Sequence, residues 1–569
     1  MVLDTGWKFK FTGNDNSTMY ARKTNLDSYV TVTLPHVFPS DNPGVQPSSG
    51  YGWYFREIDV FDNFKGKNVS LSFEGVCLRA EVFVNGIPAG GCKYAYLPFS
   101  VDLDSFIQED KVLRIAVRVD SRLLPAQIPD PAARGWWIYG GIGREVSLVV
   151  REKQRIDGMQ IRTYHHADDT FDLHCSLTPS ESTRWDSVSV VISPQDGRSI
   201  TAVFTFTGND TLVRIGGIHA WTPEDPFRYQ LRFTPWFGGE KGEVTSALRG
   251  FCQLATRKTR LILNGKPYYL RGMARHDILR LDGTPPTREE RLKDLSDLKS
   301  MGVNFLRIAH FPQHRDIYEL CDSMGILVMD EIPAWKTDPV FLGSKSGREY
   351  GKSYMQELTA VHGNYTSLAV WSIGNQFKSY KTAVADFVGT VASAVKQADP
   401  SRLVTFCSYY YIWDKAFESL DLIAVNEYFG WELASLDMLP PMLDKINQEW
   451  PDKPVIVSEL GAQAQLGLRN AEAKLAGPVK SMLEKDISED HQALFIAAHM
   501  DSIRSRNAYV NGMVVWAFND YMAVMNKKRP PGTPKGFNGC GIVTAEREQK
   551  MSYQVVRNRY TAWRDTVAQ

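Results

Sequence analysis

Several features that would narrow the search are missing from these 569 residues. The seven cysteines (77, 92, 175, 252, 321, 407 and 540) are odd in number and form no Cys-x-x-Cys pair. That excludes a disulfide framework and a zinc site and leaves buried free thiols. Neither sign of charge is in excess: 65 Lys and Arg balance 65 Asp and Glu, and the pI is about 7.2. A nucleic acid or an acidic membrane would call for a basic surplus, so neither is expected as a partner. No run of ~18 apolar residues is present, so no transmembrane helix is predicted. The opening residues, Met1 to Trp7, have no basic segment and no apolar core, so no signal peptide is read there. The expectation is a cytoplasmic protein, or a secreted or periplasmic one whose leader has been removed. Asn16, Asn68, Asn209 and Asn364 begin Asn-x-Ser/Thr sequons, a pattern short enough to arise by chance. Low-complexity tracts and repeats are lacking, and no cofactor or metal is expected.

What the chain has is aromatic surface: 14 Trp, 24 Tyr and 28 Phe within a hydrophobic fraction of 43%. A neutral protein rich in such rings suits a sugar. At ~150 residues per domain the length predicts three or four domains. In residues 1–150 short runs alternate apolar and polar side chains between turns. Examples are Val69 to Phe73, Ala80 to Val84 before Asn85-Gly86, and Leu113 to Val119. Period two with Asn-Gly turns predicts an antiparallel β-sandwich. The pattern continues over 151–255 in Ser187 to Ile192, Thr211 to Ile215 and Tyr229 to Phe233, with about seven strands expected. That length and strand number suit an immunoglobulin-like sandwich.

From 256 to 569 the texture changes. Apolar strands alternate with helical stretches such as Arg288 to Lys299, which Gly302 stops. Eight strands can be counted: around Tyr269 to Gly272, Asn304 to Ala309, Ile326 to Asp330, Leu368 to Ile373, Leu403 to Cys407, Leu422 to Val425, Pro454 to Ser458 and Gly512 to Ala517. Eight such units over about 300 residues predict a (β/α)8 barrel, whose functional groups gather at the carboxyl ends of the strands.

Two of those ends carry the chemistry. Strand four runs into Trp371-Ser372-Ile373-Gly374-Asn375-Gln376, and strand seven into Val457-Ser458-Glu459. The first resembles the Trp-Ser-x-Gly-Asn-Glu signature of glycoside hydrolase family 2, the family of β-galactosidases, β-glucuronidases and β-mannosidases. Arg271 to Asp277 and Arg307 to Pro312 are similar to two further family segments, each placing a His (His276, His310) at a strand end. Phe73 to Val76 with Val82 to Gly86, and Trp221 to Pro226, resemble its landmarks in the front half, so the likeness covers nearly the whole chain. It implies a jelly-roll first sandwich and a retaining exo-β-glycosidase acting on terminal β-hexosides. Such an enzyme needs two carboxyl groups about 5–5.5 Å apart, one to attack the anomeric carbon and one to protonate the leaving oxygen. The resemblance makes Glu459 the nucleophile and 376 the acid/base position. It assigns Asn375 to the sugar 2-hydroxyl, His276 and His310 to other hydroxyls, Tyr428 to a place beside the nucleophile, and Trp516 to the pocket floor. Asp330-Glu331 is read as bracing for the barrel mouth.

The chain departs from the family twice. Gln376 has the size of Glu but cannot ionise, and losing general acid/base help typically costs ~10²–10⁴-fold. Either the site has been inactivated by substitution, or the chain is a natural variant or a sugar-binding protein without turnover. In β-glucuronidases an Asn-x-Lys motif reads the uronate carboxylate. Here Asn538 stands in place and Cys540 replaces the Lys, so another cation is needed, with Arg529 or Lys535 as candidates. The layout and the Asn426 to Trp431 segment look more like β-glucuronidase than β-galactosidase, so a β-uronide is the preferred substrate. A β-galactoside or β-galacturonide is the alternative. A homo-oligomer is left open.

Overall fold

The computed structural model describes the whole chain except 40–47, 108–110, 133–134, 181–182, 198, 278–283, 433, 476–484, 524–535 and 568–569. Arg529 and Lys535 therefore lie outside the described residues.

The first unit is a sandwich. A six-stranded sheet built around Tyr51–Asp59 and Val112–Asp120 faces a three-stranded one of Val146–Arg151, Asn68–Phe73 and Phe99–Asp102. The alternation seen in the sequence has a direct cause. Val69, Leu71 and Phe73 point into a core shared with Trp7, Phe9 and Tyr54, while the residues between them are partly exposed. A second sandwich follows. Ile156–His165, Phe171–Pro179 and Asp210–Ile215 pair in one sheet, and Ser187–Pro194 with Tyr229–Phe237 centres the other. Its strands number eight among the described residues because Glu240–Lys241 forms a short turn-back on the last long strand.

The third unit is a closed barrel of eight parallel strands. We label them β1 (Leu270–Arg275), β2 (Phe305–Ile308), β3 (Leu327–Glu331), β4 (Leu368–Asn375), β5 (Leu403–Ser408), β6 (Ile423–Glu427), β7 (Val455–Leu460) and β8 (Val510–Val515). Each strand is buried on both faces, so most read as apolar runs, interrupted by buried polar residues such as Arg275 on β1, Arg307 on β2 and Asn511 on β8. Period two still sorts the side chains. Leu306, Ile308, Val328, Trp371, Val425 and Val457 pack outward under the helices. Phe305, Leu327, Met329, Val370, Ala424 and Ile456 fill the interior. Leu254, Leu261 and Leu263, from a small sheet ahead of β1, join that interior core and close its amino-terminal end. Several strands run further toward the mouth than expected: β1 to Arg275, β4 to Asn375, β6 to Glu427 and β7 to Leu460. β8 begins and ends two residues early, so Trp516 sits just beyond it.

Both sandwiches are fastened to the barrel through polar contacts. Trp221 donates its indole N–H to the Asp322 carbonyl at 2.8 Å, and Asn364 accepts from the Ile161 N–H at 2.8 Å. From the first sandwich, Trp137 donates to the Ala523 carbonyl at 3.0 Å and Arg144 to the Pro312 carbonyl at 2.6 Å. The second pair of contacts reaches the barrel mouth.

Candidate active site

The inward set of the barrel strands continues upward from the apolar stack into polar residues: Arg307 on β2, Glu331 on β3, Ser372 on β4, Asn426 on β6 and Ser458 on β7. They form one connected network. Glu459 is 2% exposed and three side chains donate to its carboxylate. Arg307 Nη1 (2.7 Å) and Asn375 Nδ2 (3.0 Å) meet Oε1, and the Tyr428 hydroxyl meets Oε2 at 2.7 Å. Charge-assisted donors of this kind make short, strong bonds that fix the position of a buried carboxylate.

Each donor is itself held. Asn375 accepts through Oδ1 from Asn426 Nδ2 at 2.8 Å, and Asn426 accepts from the Ser458 hydroxyl at 2.8 Å. Arg307 is buried and turns its second arm to Glu331, Nη2 lying 2.9 Å from Oε2. Glu331 also accepts from Ser372 Oγ and from His310 Nδ1, both at 2.7 Å. Burial pushes the Glu331 carboxyl up, but Arg307, His310 and Ser372 outweigh it and hold the group down to about 2. Its role is bracing: it orients Arg307 and His310 from below.

Gln376 follows Asn375 and leaves the strand. Its N–H bonds the Cys407 carbonyl at 2.8 Å. Its φ of +57° lies in the left-handed region, where a non-glycine residue marks local strain, and such strain gathers at functional sites. The turn is set up by Gly374 at φ +138°, where a Cβ would come within 2.5 Å of the Ala334 carbonyl oxygen. The Gln376 side chain is buried and its Oε1 has no partner among the described residues.

An aromatic wall completes the mouth. Trp516 stacks on His310 with centroids 4.9 Å apart, and His276 stacks on Tyr521 at 4.0 Å. Burial, then the nearby His310 and Arg307, push the His276 imidazole well below its ordinary value, so it is neutral. Its Nε2 is buried without a partner among the described residues. Trp136, from the first sandwich, lies 5.5 Å from both His310 and Phe311. A cavity opens between the two units here, lined by Trp136, Arg144, His276, Phe311 and Tyr521.

The structure thus brings Glu459, Asn375, Gln376, Tyr428, His276, His310 and Trp516 to one end of the barrel. Asn538 is nearby but engaged: its Nδ2 donates to the Tyr521 hydroxyl at 2.9 Å and its Oδ1 takes the Cys540 N–H at 3.0 Å. Sequence reading passed over Arg307, Asn426 and Trp136. A signal for Arg307 existed, since an arginine at an inward position of a buried strand requires carboxylate partners. Trp136 had none, because its neighbours lie far along the chain.

Comparison with known proteins bears on the family and the fold. Residues 254–564 match the model "Glycosyl hydrolases family 2, TIM barrel domain", and residues 15–152 match "Glycosyl hydrolases family 2, sugar binding domain". The β-glucuronidase of Rattus norvegicus is 26% identical over 610 residues, covering 99% of this chain and 90% of that one. Among solved structures, a β-glucuronidase of an uncultured Clostridium species superposes with a TM-score of 0.86 at 23% identity, covering 99% and 97% of the two chains. The β-glucuronidase from Ruminococcus gnavus in complex with uronic isofagomine gives 0.88 at 19% identity, covering 98% and 97%.

Proposed function

The chain belongs to glycosyl hydrolase family 2, and from that premise we propose that it is a retaining exo-β-glycosidase for β-uronides whose proton-donor position holds Gln376. The observation that carries the reading is the carboxylate of Glu459, held by donors on both oxygens and aimed from β7 into the mouth. In this reading Glu459 attacks the anomeric carbon and forms a glycosyl-enzyme, and Arg307 and Tyr428 hold it aligned for the attack. Asn375, locked by Asn426, presents its amide to the sugar 2-hydroxyl, a contact that strengthens in the transition state. Neutral His276 bonds hydroxyls, as does His310, with Trp516 and Trp136 as apolar walls.

Gln376 occupies the place of the acid/base. Its amide can bond the glycosidic oxygen but has no acidic proton to give and no lone pair basic enough to activate water. Natural glycosides with poor leaving groups are therefore turned over slowly. A 2,4-dinitrophenyl β-glucuronide needs no protonation, so its first step proceeds and the glycosyl-enzyme accumulates as a burst. Azide needs no base and releases that intermediate as the β-glycosyl azide; an α-configured azide would show inversion and remove the mechanism.

The direct test is Gln376→Glu, assayed on an unactivated β-glucuronide. Turnover should rise by at least ~10²-fold, the usual size of the acid/base contribution. A Glu form no faster than the Gln form would instead favour the second reading, a sugar-binding protein, which the non-ionisable Gln376 alone supports.

A further inference from the structure

Lys485 is 7% exposed, and its ammonium has no hydrogen-bond or ion-pair partner among the described residues. An unpaired buried charge is costly to keep, so an isolated one is a candidate for a ligand of opposite sign. Its position is defined. The ammonium lies 4.0 Å from the centroid of Trp431, which closes the turn begun at Tyr428. Tyr428 in turn holds Glu459. Two residues on, the Ile487 carbonyl accepts from the Gln465 N–H at 2.9 Å, which ties the Lys485 segment to the loop leaving β7. In that loop the buried Gln463 carries a second unpartnered atom, Oε1. On the other side, Lys485 is within electrostatic reach of Cys540. Cys540 is bonded to Asn538, and its position is the one where the sequence lacks the expected cation.

We propose that Lys485 is the specificity-determining residue that reads the carboxylate of the sugar, a replacement in space for the cation absent at Cys540. The inference rests on the β-uronide reading above. The bound carboxylate takes the ammonium as its ion-pair partner, while Trp431 supports the ammonium from the opposite face.

The surroundings also set a pH signature. Burial pushes the Lys485 ammonium down to about 8, and Glu432 and Cys540 pull weakly the other way. His491, on the helix Glu489–Arg504, and Asp486, beside Lys485 in the chain, are further titratable groups close by among the described residues. Its charged form is therefore lost just above neutrality unless a carboxylate is bound, so preference for an anionic sugar should decline as pH rises past about 8.

The test uses uronic isofagomine and isofagomine, a pair that differs in the carboxylate, with binding measured by calorimetry on the wild-type protein, Lys485→Met and Lys485→Arg. Lys485→Met should weaken uronic isofagomine by about thirtyfold or more, the usual scale for losing one partner of a desolvated charge pair. Isofagomine should change by less than twofold, and Lys485→Arg should retain most of the discrimination. The wild-type preference ratio should fall between pH 7 and 9, and that of Lys485→Met should stay flat. A purely structural lysine would shift both ligands equally. Wild-type preference for the uronic ligand that survives Lys485→Met overturns the assignment and leaves the uronide reading standing. Wild-type protein that binds isofagomine and not its uronic counterpart overturns both.

Discussion

Glu427 shows how a single side chain at the mouth answers to burial and not to chemistry. It follows Asn426 on β6, so it takes the opposite face of the strand and points away from the network around Glu459. It is fully buried, and burial pushes its carboxyl up to about 8, with the nearby Tyr411 hydroxyl pulling the other way. The folded state thus holds this proton more tightly than the unfolded chain does. Its contribution is fully present below the ordinary carboxyl value of 4.5 and declines as pH rises from there to about 8, by up to ~1.4 kcal/mol per pH unit. Glu427→Gln removes the ionisation. The variant should melt close to the wild type at pH 5 and above it at pH 7.5, as scanning calorimetry would show. Equal differences at both pH values would mean that Glu427 is already ionised in the folded protein.

At the scale of the element, the end of β4 deserves its own experiment because one backbone bend positions two side chains. Gly374 permits it: a Cβ there would meet the Ala334 carbonyl oxygen at 2.5 Å and the Phe377 ring at 2.6 Å, at a φ of +138° that side-chain-bearing residues rarely adopt. Gly374→Ala should therefore displace Asn375 from Glu459. A misplacement of ~1 Å can cost ~10²-fold, so hydrolysis of a 2,4-dinitrophenyl β-glycoside should fall by about that much, with the far-ultraviolet dichroism unchanged. Undiminished hydrolysis would detach Asn375 from the function given to it. The same strand shows what a sequence can disclose. The eight barrel strands were legible because fully buried strands read as apolar runs, and Glu459 because it ends one of them. The bend at Gln376 was not, since a glutamine in the left-handed region has no local signature. The bridge from Arg307 to Glu331 and Glu459 joins three strands and exists only once the barrel closes. Lys485 lies in an irregular loop, and its burial comes from Trp431 on another strand's loop, beyond the reach of any periodicity.

The whole molecule matters to the site because part of the wall comes from another unit. Trp136 reaches from the first sandwich to His310 and Phe311, while Trp137 and Arg144 pin that segment to the Ala523 and Pro312 carbonyls. Trp136→Phe keeps an apolar ring and loses area against the pocket. It should weaken isofagomine and uronic isofagomine by similar factors of a few-fold, in contrast to Lys485→Met, with little change in melting temperature. Unaltered binding of both would place Trp136 outside the sugar's wall.

The contact between Trp137 and Ala523 also sets a timetable. Its partners are separated by 386 residues, and at ~5–20 residues per second a ribosome needs roughly 20–80 s to travel from one to the other. The first sandwich is synthesised and free to fold well before the surface it docks on exists, and its aromatic face waits in solvent or against a chaperone. This wall of the pocket is therefore completed only late in synthesis. Ribosome-arrested chains ending before position 523 should leave Trp136 open to a soluble fluorescence quencher, and released full-length chains should shield it.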